Sequence, residues 1–414
     1  MTRDELRSSQ LEQLRSLVAE LFPANAFYTH KLERLGLTFD VASLEDFSTR
    51  FPFTTKQELV ADQLASPPYG TNLTCPLASY TRFHQTSGTT GTPLRWLDTP
   101  ESWEWLLDNW AVVLRAAGVR AGDRACFPFS FGPFLGFWMA FESAERLGCL
   151  CLPTGGMSSV ARLQVILDNE ATVLCCTPTY ALRLAEAAAG EGIDLRESAV
   201  RKIIVAGEPG GSVPHVRERI SAAWNGARVI DHYGMTEVGP VALQDADGEG
   251  SLRVIEESYF AEIVEPETGA PVAPGGVGEL VLTTLGRIGA PVLRYRTGDL
   301  VKQAAGVAGK VLEGGIIGRA DDMIVVRGVN IYPSAVDAVV RSLPEIAEYR
   351  VEVSRRGALT EVGLKIECGD EAAVGKLERA LTTAFSLRIP VARVAANSLP
   401  RFEMKARRWV DAEG

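Results

Sequence analysis

Short apolar runs alternate with longer amphipathic stretches through most of the chain. Arg124–Phe127, Cys149–Leu152, Thr172–Thr177 and Lys202–Ala206 read as buried strands. Between them, Trp138–Leu147, Ser158–Asp168 and Tyr180–Gly190 carry apolar residues at helical spacing. This alternation predicts βαβ units, and so parallel sheets with helices on both faces. From about Glu256 the texture changes. Tyr259–Val264, a turn at Pro266–Gly269 and Gly278–Thr283 form a hairpin-like series that predicts a β-rich subdomain.

A second change falls near Gly318–Asp322. Short strands (Met323–Val326, Tyr349–Val353, Val362–Ile366) and helices (Pro333–Leu343, Val374–Phe385) follow it, predicting a small α+β domain of about 95 residues. The expected organisation is an α/β protein. Residues 1–319 would form a large domain of helix-covered sheets plus the β-rich subdomain, and residues 320–414 the small α+β domain. At the start, Leu11, Leu14, Leu17, Val18 and Leu21 predict a surface amphipathic helix within Met1–Phe22, unlike the apolar core of a signal peptide. The most apolar stretch, Phe127–Phe141, is broken by Ser130 and prolines and closes on Glu142. It falls short of the roughly 20 residues a membrane helix needs, and a cytoplasmic protein is expected.

Composition changes this picture in a few places. A length of 414 residues exceeds what one core usually serves, which agrees with two domains. A net charge of −10 argues against nucleic-acid binding through a broad basic surface, although a local nucleotide site is compatible with it. The seven cysteines show no repeated metal-ligand spacing. Cys149/Cys151 and Cys175/Cys176 lie in apolar runs and read as small core residues in a reducing compartment.

The run Thr86-Ser87-Gly88-Thr89-Thr90-Gly91-Thr92-Pro93 is the strongest local signal. Glycines let a loop turn its N–H groups one way and clustered hydroxyls add donors, a combination suited to polyphosphate oxygens. Alone it is equally a surface turn, and it is not a Walker loop, because no G-x-x-x-x-G-K-[ST] occurs. Tyr233-Gly234-Met235-Thr236-Glu237 follows the apolar Val229-Ile230 strand end. Ligands bind at such ends in parallel sheets, and a carboxylate there can hold Mg²⁺ beside phosphates; the plain alternative is a strand-to-helix turn. Tyr295-Arg296-Thr297-Gly298-Asp299 brings a carboxylate able to accept both ribose hydroxyls of a nucleotide, or else a hairpin turn with a solvated Asp. Gly318-Arg319-Ala320-Asp321-Asp322 comes next, and Leu399-Pro400-Arg401-Phe402-Glu403-Met404-Lys405 lies near the end.

These five elements, in this order, resemble the acyl-adenylate-forming superfamily of acyl-CoA synthetases, adenylation domains and luciferases. The phenylacetate-CoA ligase branch matches best, supported by Asn25-Ala26-Phe27-Tyr28, Phe51-Pro52-Phe53-Thr54-Thr55-Lys56 and Ala206-Gly207-Glu208-Pro209. The resemblance implies an ATP-dependent ligase that turns an aromatic acid into its acyl-AMP and then its CoA thioester. It also implies roles: Thr86, Ser87, Gly88, Thr89, Thr90 and Gly91 over the β- and γ-phosphates; Ala206, Gly207, Glu208 and Pro209 framing adenine, with Tyr233 stacked near it. Thr236 would contact the α-phosphate and Glu237 the Mg²⁺. Asp299, helped by Arg319, would take the ribose. Asp321 would be the hinge of a mobile lid carrying the catalytic Lys405. A carboxylate attacking an ATP phosphorus brings two anions together, so a placed lysine and Mg²⁺ are what the chemistry needs.

Two departures stand out: Thr92 replaces a lysine frequent in the phosphate loop, and Met404 replaces the glycine that commonly precedes the catalytic lysine. Some relatives in this branch bind zinc after the Glu237 region. This chain has neither Cys nor His between Glu237 and Asp299, so no zinc is expected. By position, Phe131, Phe134, Gly136, Ala206, Gly207, His232, Gly234, Met235 and Pro240 would wall the acid pocket. The phenylalanines could equally be plain core. Aromatic and glycine walls without Lys or Arg suit a flat, uncharged ring. With His232 or Ser130 free to address a ring substituent, a benzoate-type acid such as anthranilate comes first and phenylacetate second. A carrier protein or an amine acting in trans is the alternative acceptor, and a homodimer stays open. A nucleotide-binding regulator that has lost catalysis is favoured only by Thr92 and Met404.

Overall fold

The computed structural model describes residues 1–86, 92–244, 250–320, 322, 324–327, 329–356, 359–402 and 407–412. Among these, an eleven-stranded sheet dominates. One half is parallel, in the order Leu150–Pro153, Arg124–Phe127, Val173–Cys176, Lys202–Val205, Arg228–Met235. The other half is antiparallel and continues from Arg228–Met235 through Gly239–Gln244, Ser251–Val254, Val311–Arg319, Tyr295–Gln303, Val277–Thr284 and Tyr259–Val264. The expected β-rich subdomain is therefore an extension of the parallel sheet, with Arg228–Met235 as the shared strand.

The parallel strands are apolar throughout because both faces are covered. Ala125, Phe127, Val173, Cys175, Ile204 and Ile230 enter one core, while their neighbours Cys126, Leu174, Cys176, Ile203, Val205 and Val229 enter another. Successive strand side chains alternate faces, which is why the two-residue period vanishes from the sequence. Cys149, Cys175 and Cys176 are buried and Cys151 half-buried, as core residues should be. Burial pushes the Cys126 thiol up to about 11, so it is no nucleophile near neutrality.

Three helices packed on this half, Leu135–Arg146, Ser159–Asp168 and Pro178–Gly190, match the amphipathic stretches within a few residues. Thr177 caps the last, its side chain accepting from the Tyr180 N–H, with Pro178 at the first turn where no N–H is needed. The N-terminal helix Arg3–Leu21 has a Thr2/Glu5 capping box and buries Leu14, Leu17, Val18 and Leu21. Leu11 is half-buried against the same core.

The motif at residues 51–56 proves to be a strap. Thr54 donates its N–H to the Arg294 carbonyl (3.0 Å) and accepts from the Arg296 N–H (2.9 Å). Tyr28 donates its hydroxyl toward Thr54 or accepts from it (3.3 Å), and accepts the Leu293 N–H (2.8 Å). Phe53 lies under Arg294, 4.1 Å from guanidinium carbon to ring centre. Residues 25–28 and 51–56 are thus fastened to the strand that carries Asp299.

Val391–Val394, Leu359–Cys368, Ile346–Arg356 and Trp409–Asp411 form a separate four-stranded sheet. With helices Pro333–Arg341 and Ala372–Phe385 it encloses its own core, including Val336, Val340, Val351, Leu364, Ile366, Leu377 and Leu381. No helix among the described residues is long and apolar enough to cross a membrane.

Candidate active site

The site grows from the shared strand. The strand does not end at Ile230, as its apolar pattern suggests. Through Asp231 it pairs in parallel with Lys202–Val205, and from His232 to Met235 it pairs antiparallel with Gly239–Gln244. Tyr233, Gly234 and Met235 are therefore strand residues, and Thr236 and Glu237 sit in a tight turn between two strands, not a strand-to-helix turn. Two glycines make this possible. Gly234 faces the Gly239 carbonyl, which an added Cβ would meet at 2.6 Å. Gly239 has φ 89°, in the left-handed region where side chains strain the backbone.

Asp299 lies inside the strand Tyr295–Gln303 and is buried, not solvated in a hairpin turn. It accepts the Tyr233 hydroxyl on one oxygen (2.6 Å) and the Arg319 guanidinium on the other (3.1 Å). Arg319 is the register partner of Asp299 on the adjacent strand. Burial first, then the Asp299 charge, pushes the Tyr233 phenol well above its usual range, so it stays a donor.

Glu237 is buried, accepts the Tyr295 hydroxyl at 3.3 Å and faces the Lys56 ammonium at 3.5 Å. It is the carboxylate that could hold a metal. Among the described residues no group of three or more His, Cys, Asp or Glu side chains gathers. One hard oxygen donor beside an expected polyphosphate fits Mg²⁺, which is commonly bound through one or two carboxylates plus phosphate oxygens.

Thr86 stands at the start of the segment expected to cover phosphates. Its N–H donates to the Leu94 carbonyl and its hydroxyl accepts the Leu94 N–H, both at 3.0 Å. Ser87, Gly88, Thr89, Thr90 and Gly91 lie outside the described residues, as do Asp321, Met404 and Lys405. Ala206, Gly207, Glu208 and Pro209 leave the C-terminal end of the strand Lys202–Val205, where parallel sheets bind ligands. Gly207 has φ 91°, and Glu208 accepts the Thr179 N–H at 2.7 Å, tying this loop to a helix start.

The expected acid walls fall into separate groups. Phe131 and Met235 pack against one core from its partly exposed side. Phe131 meets Trp138 edge-on (4.9 Å), and Phe134 meets Phe137 (5.9 Å). Gly136 faces open space and Pro240 is buried opposite Gly234. His232 is buried against Trp110 (4.5 Å), and its Nδ1 shares a hydrogen bond with the Ala242 carbonyl (3.0 Å). Burial pulls its pKa down to about 4, so the imidazole is neutral.

Several site residues escaped the sequence reading. Asp231 accepts the Ser212 hydroxyl and the His232 N–H, and pins the segment that follows residues 206–209. Burial pushes its carboxyl up to about 6. Lys56 reaches Glu237 from the strap. Arg287 and Asp98 form a fork behind the Thr236–Glu237 turn. Only Lys56 had a signal, its place in a quoted motif.

The family described as AMP-binding enzyme matches residues 83–286, and the AMP-binding enzyme C-terminal domain matches 328–413. The phenylacetate-coenzyme A ligase of Pseudomonas putida is 32% identical, the alignment spanning 97% of this chain and 93% of that one. This chain belongs to the adenylate-forming, AMP-binding enzyme family. The AMP-binding enzyme is also similar along its whole length to a solved 2-hydroxyisobutyryl-CoA ligase. In the postadenylation state with R3-HIB-AMP that ligase gives a TM-score of 0.93 at 29% identity, covering 100% of this chain and 90% of the other. With 2-HIB-AMP and CoA in the thioesterification state the score is 0.75 at 30% identity, covering 99% and 90%. The chain superposes better on that ligase's postadenylation structure than on its thioesterification structure.

Proposed function

We propose that this enzyme is an ATP-dependent acid–thiol ligase acting on an aromatic carboxylic acid. The acid's carboxylate attacks the α-phosphorus of ATP, giving acyl-AMP and pyrophosphate. The thiol of CoA then attacks the acyl carbon, giving the thioester and AMP. The observation that carries this reading is the convergence of Tyr233, Asp299 and Arg319 beside the Thr236–Glu237 turn, in a chain that superposes throughout on a ligase holding an acyl-AMP.

In this scheme the paired oxygens of Asp299 take the ribose hydroxyls, and Tyr233 and Arg319 hold the carboxylate in place. The loop at 206–209 frames the adenine and Thr236 meets the α-phosphate. Glu237 would hold Mg²⁺, which when bound neutralises phosphate charge. Lys405, from residues 320–414 acting as a lid hinged at Asp321, would stabilise the charge that develops as carboxylate meets phosphorus. The aromatic cluster around Phe131, with no cation among the proposed wall residues, suits a flat uncharged ring. Benzoate-type acids, anthranilate among them, and phenylacetate are the first substrates to try; relatives named phenylacetate-CoA ligase support the latter. His232 has its Nδ1 committed, so only Nε2 remains for a ring substituent.

Pyrophosphate release from ATP over a panel of benzoates, phenylacetates and aliphatic acids, with and without CoA, tests the reading. A thioester of one aromatic acid, detected by mass and dependent on CoA, is expected. Transfer only to an added carrier protein would make the acceptor a protein thiol, and no pyrophosphate with any acid would remove the ligase assignment.

A further inference from the structure

Behind the Thr236–Glu237 turn lies a charge pair with no exposed surface. Arg287 donates through Nε and Nη2 to the two oxygens of Asp98, at 2.7 and 2.6 Å. Its remaining nitrogen, Nη1, donates to the Thr236 carbonyl (2.9 Å) and the Glu237 carbonyl (3.1 Å). The next carbonyl, that of Val238, accepts the buried Tyr259 hydroxyl at 2.8 Å. All three carbonyls of the turn are therefore held by buried side chains. Asp98 ends the second strand of the hairpin Arg82–Gln85/Arg95–Asp98, whose connecting segment is the phosphate loop. The Trp96 ring lies 5.1 Å from the Arg287 guanidinium carbon and completes the enclosure.

A buried ion pair gives weak net stability, since desolvation offsets much of the attraction and apolar replacements of similar volume are often no worse. What apolar side chains could not do is satisfy two buried carbonyls while reaching a second element. Burial raises the Asp98 carboxyl, and Arg287 and His84 more than offset this, so Asp98 is the anionic anchor of the fork.

We propose that Arg287, locked by Asp98, is a positioning residue for adenylation: it fixes the Thr236–Glu237 turn in register with the phosphate-loop hairpin. It touches no substrate. Its effect runs through where Glu237 and Thr236 present their oxygens, and it rests on the ligase reading only for the step that is measured.

The test compares wild type with Arg287→Lys and with the paired change Arg287→Met/Asp98→Leu, which leaves no uncompensated buried charge and keeps the experiment open if single variants do not fold. Circular dichroism and a thermal melt establish folding. Calorimetry measures AMP binding, and AMP-PNP binding with and without Mg²⁺. In the folded double variant, AMP affinity should fall only slightly, through the Thr236 contact to the α-phosphate, while the gain in AMP-PNP affinity from Mg²⁺ should fall about 10- to 100-fold, the usual cost of losing an outer-shell partner. The KM for ATP measured with Mg²⁺ should rise, and the turnover number for acyl-AMP formation should fall. Thioester formation from synthetic acyl-AMP and CoA should persist. Arg287→Lys, with the charge but not the fork, should lie between. An unchanged Mg²⁺ gain, or equal loss of AMP and Mg²⁺-AMP-PNP binding, would overturn the proposal. If wild type shows the Mg²⁺ gain yet makes no acyl-AMP with any acid, the ligase reading fails while calorimetry still decides the role of Arg287.

Discussion

The Tyr233 hydroxyl and the Asp299 carboxylate meet at 2.6 Å although their strands are separated by three others in the sheet. The sheet must curl for this to happen, and the proposed ribose site lies at this meeting of the two strands. Removing the Asp299 carboxylate should weaken ATP binding far more than acid binding. Charge-assisted hydrogen bonds are each worth about 1.5–3 kcal/mol, so Asp299→Ala should cost roughly 10²-fold in ATP affinity. Tyr233→Phe, which spares the carboxylate, should cost less. Equal loss of affinity for ATP and acid in Asp299→Ala would remove the ribose assignment.

Asp231 and His232 are adjacent and titrate in opposite senses. His232 is lowered to about 4 by burial, so between pH 6.5 and 4 the unfolded chain binds a proton that the folded one refuses. Its contribution is full above pH 6.5 and is lost as pH falls toward 4. Asp231 is raised to about 6 by burial, so between pH 4 and 6 the folded chain keeps a proton that the unfolded one releases. It therefore lowers stability as pH rises through that window. His232→Gln should flatten the acid side of a stability profile, and Asp231→Asn should steepen it. Urea unfolding at several pH values between 4 and 7 checks both signs; identical slopes in all three proteins would contradict them.

Much of this was legible in the residues. Continuous apolar runs marked the parallel strands because both faces are covered, and apolar residues at helical spacing marked the helices between them. What stayed hidden was set by pairing over long distances. Nothing local in Asp231–Met235 says that the strand changes partner from parallel to antiparallel, so Tyr233 looked like a turn residue. Arg287 and Asp98 are far apart in sequence and meet only when two hairpins pack. Asp299 was singled out by its motif, yet nothing local announced its pairing with Tyr233 and Arg319.

Metal dependence follows from the lone carboxylate of Glu237. Chelation with EDTA should abolish pyrophosphate release, Mg²⁺ should restore it, and Glu237→Gln should raise the Mg²⁺ concentration required. Metal analysis of the purified protein should find no stoichiometric zinc. One zinc per chain would mean that the reading of the cysteines is mistaken.

Lys405 offers the sharpest separation of the two half-reactions. In the proposed mechanism its ammonium stabilises charge that appears only as the carboxylate attacks phosphorus, so it should matter to that step alone. Lys405→Ala should lower acyl-AMP formation by roughly 10²–10³-fold, the usual loss for one preorganised group. Given synthetic acyl-AMP and CoA, the same variant should form thioester near the wild-type rate. Asp321→Pro provides the converse, because a fixed φ would hinder rotation at the proposed hinge. The chain already resembles the postadenylation arrangement more than the thioesterification one, at TM-scores of 0.93 and 0.75. Stiffening that hinge should therefore spare adenylation and slow thioester formation. Equal loss of both half-reactions in Lys405→Ala would make the lysine structural, and Met404 would then mark a rearranged segment. No loss in either would move the catalytic cation elsewhere, with Lys56 beside Glu237 the next residue to replace.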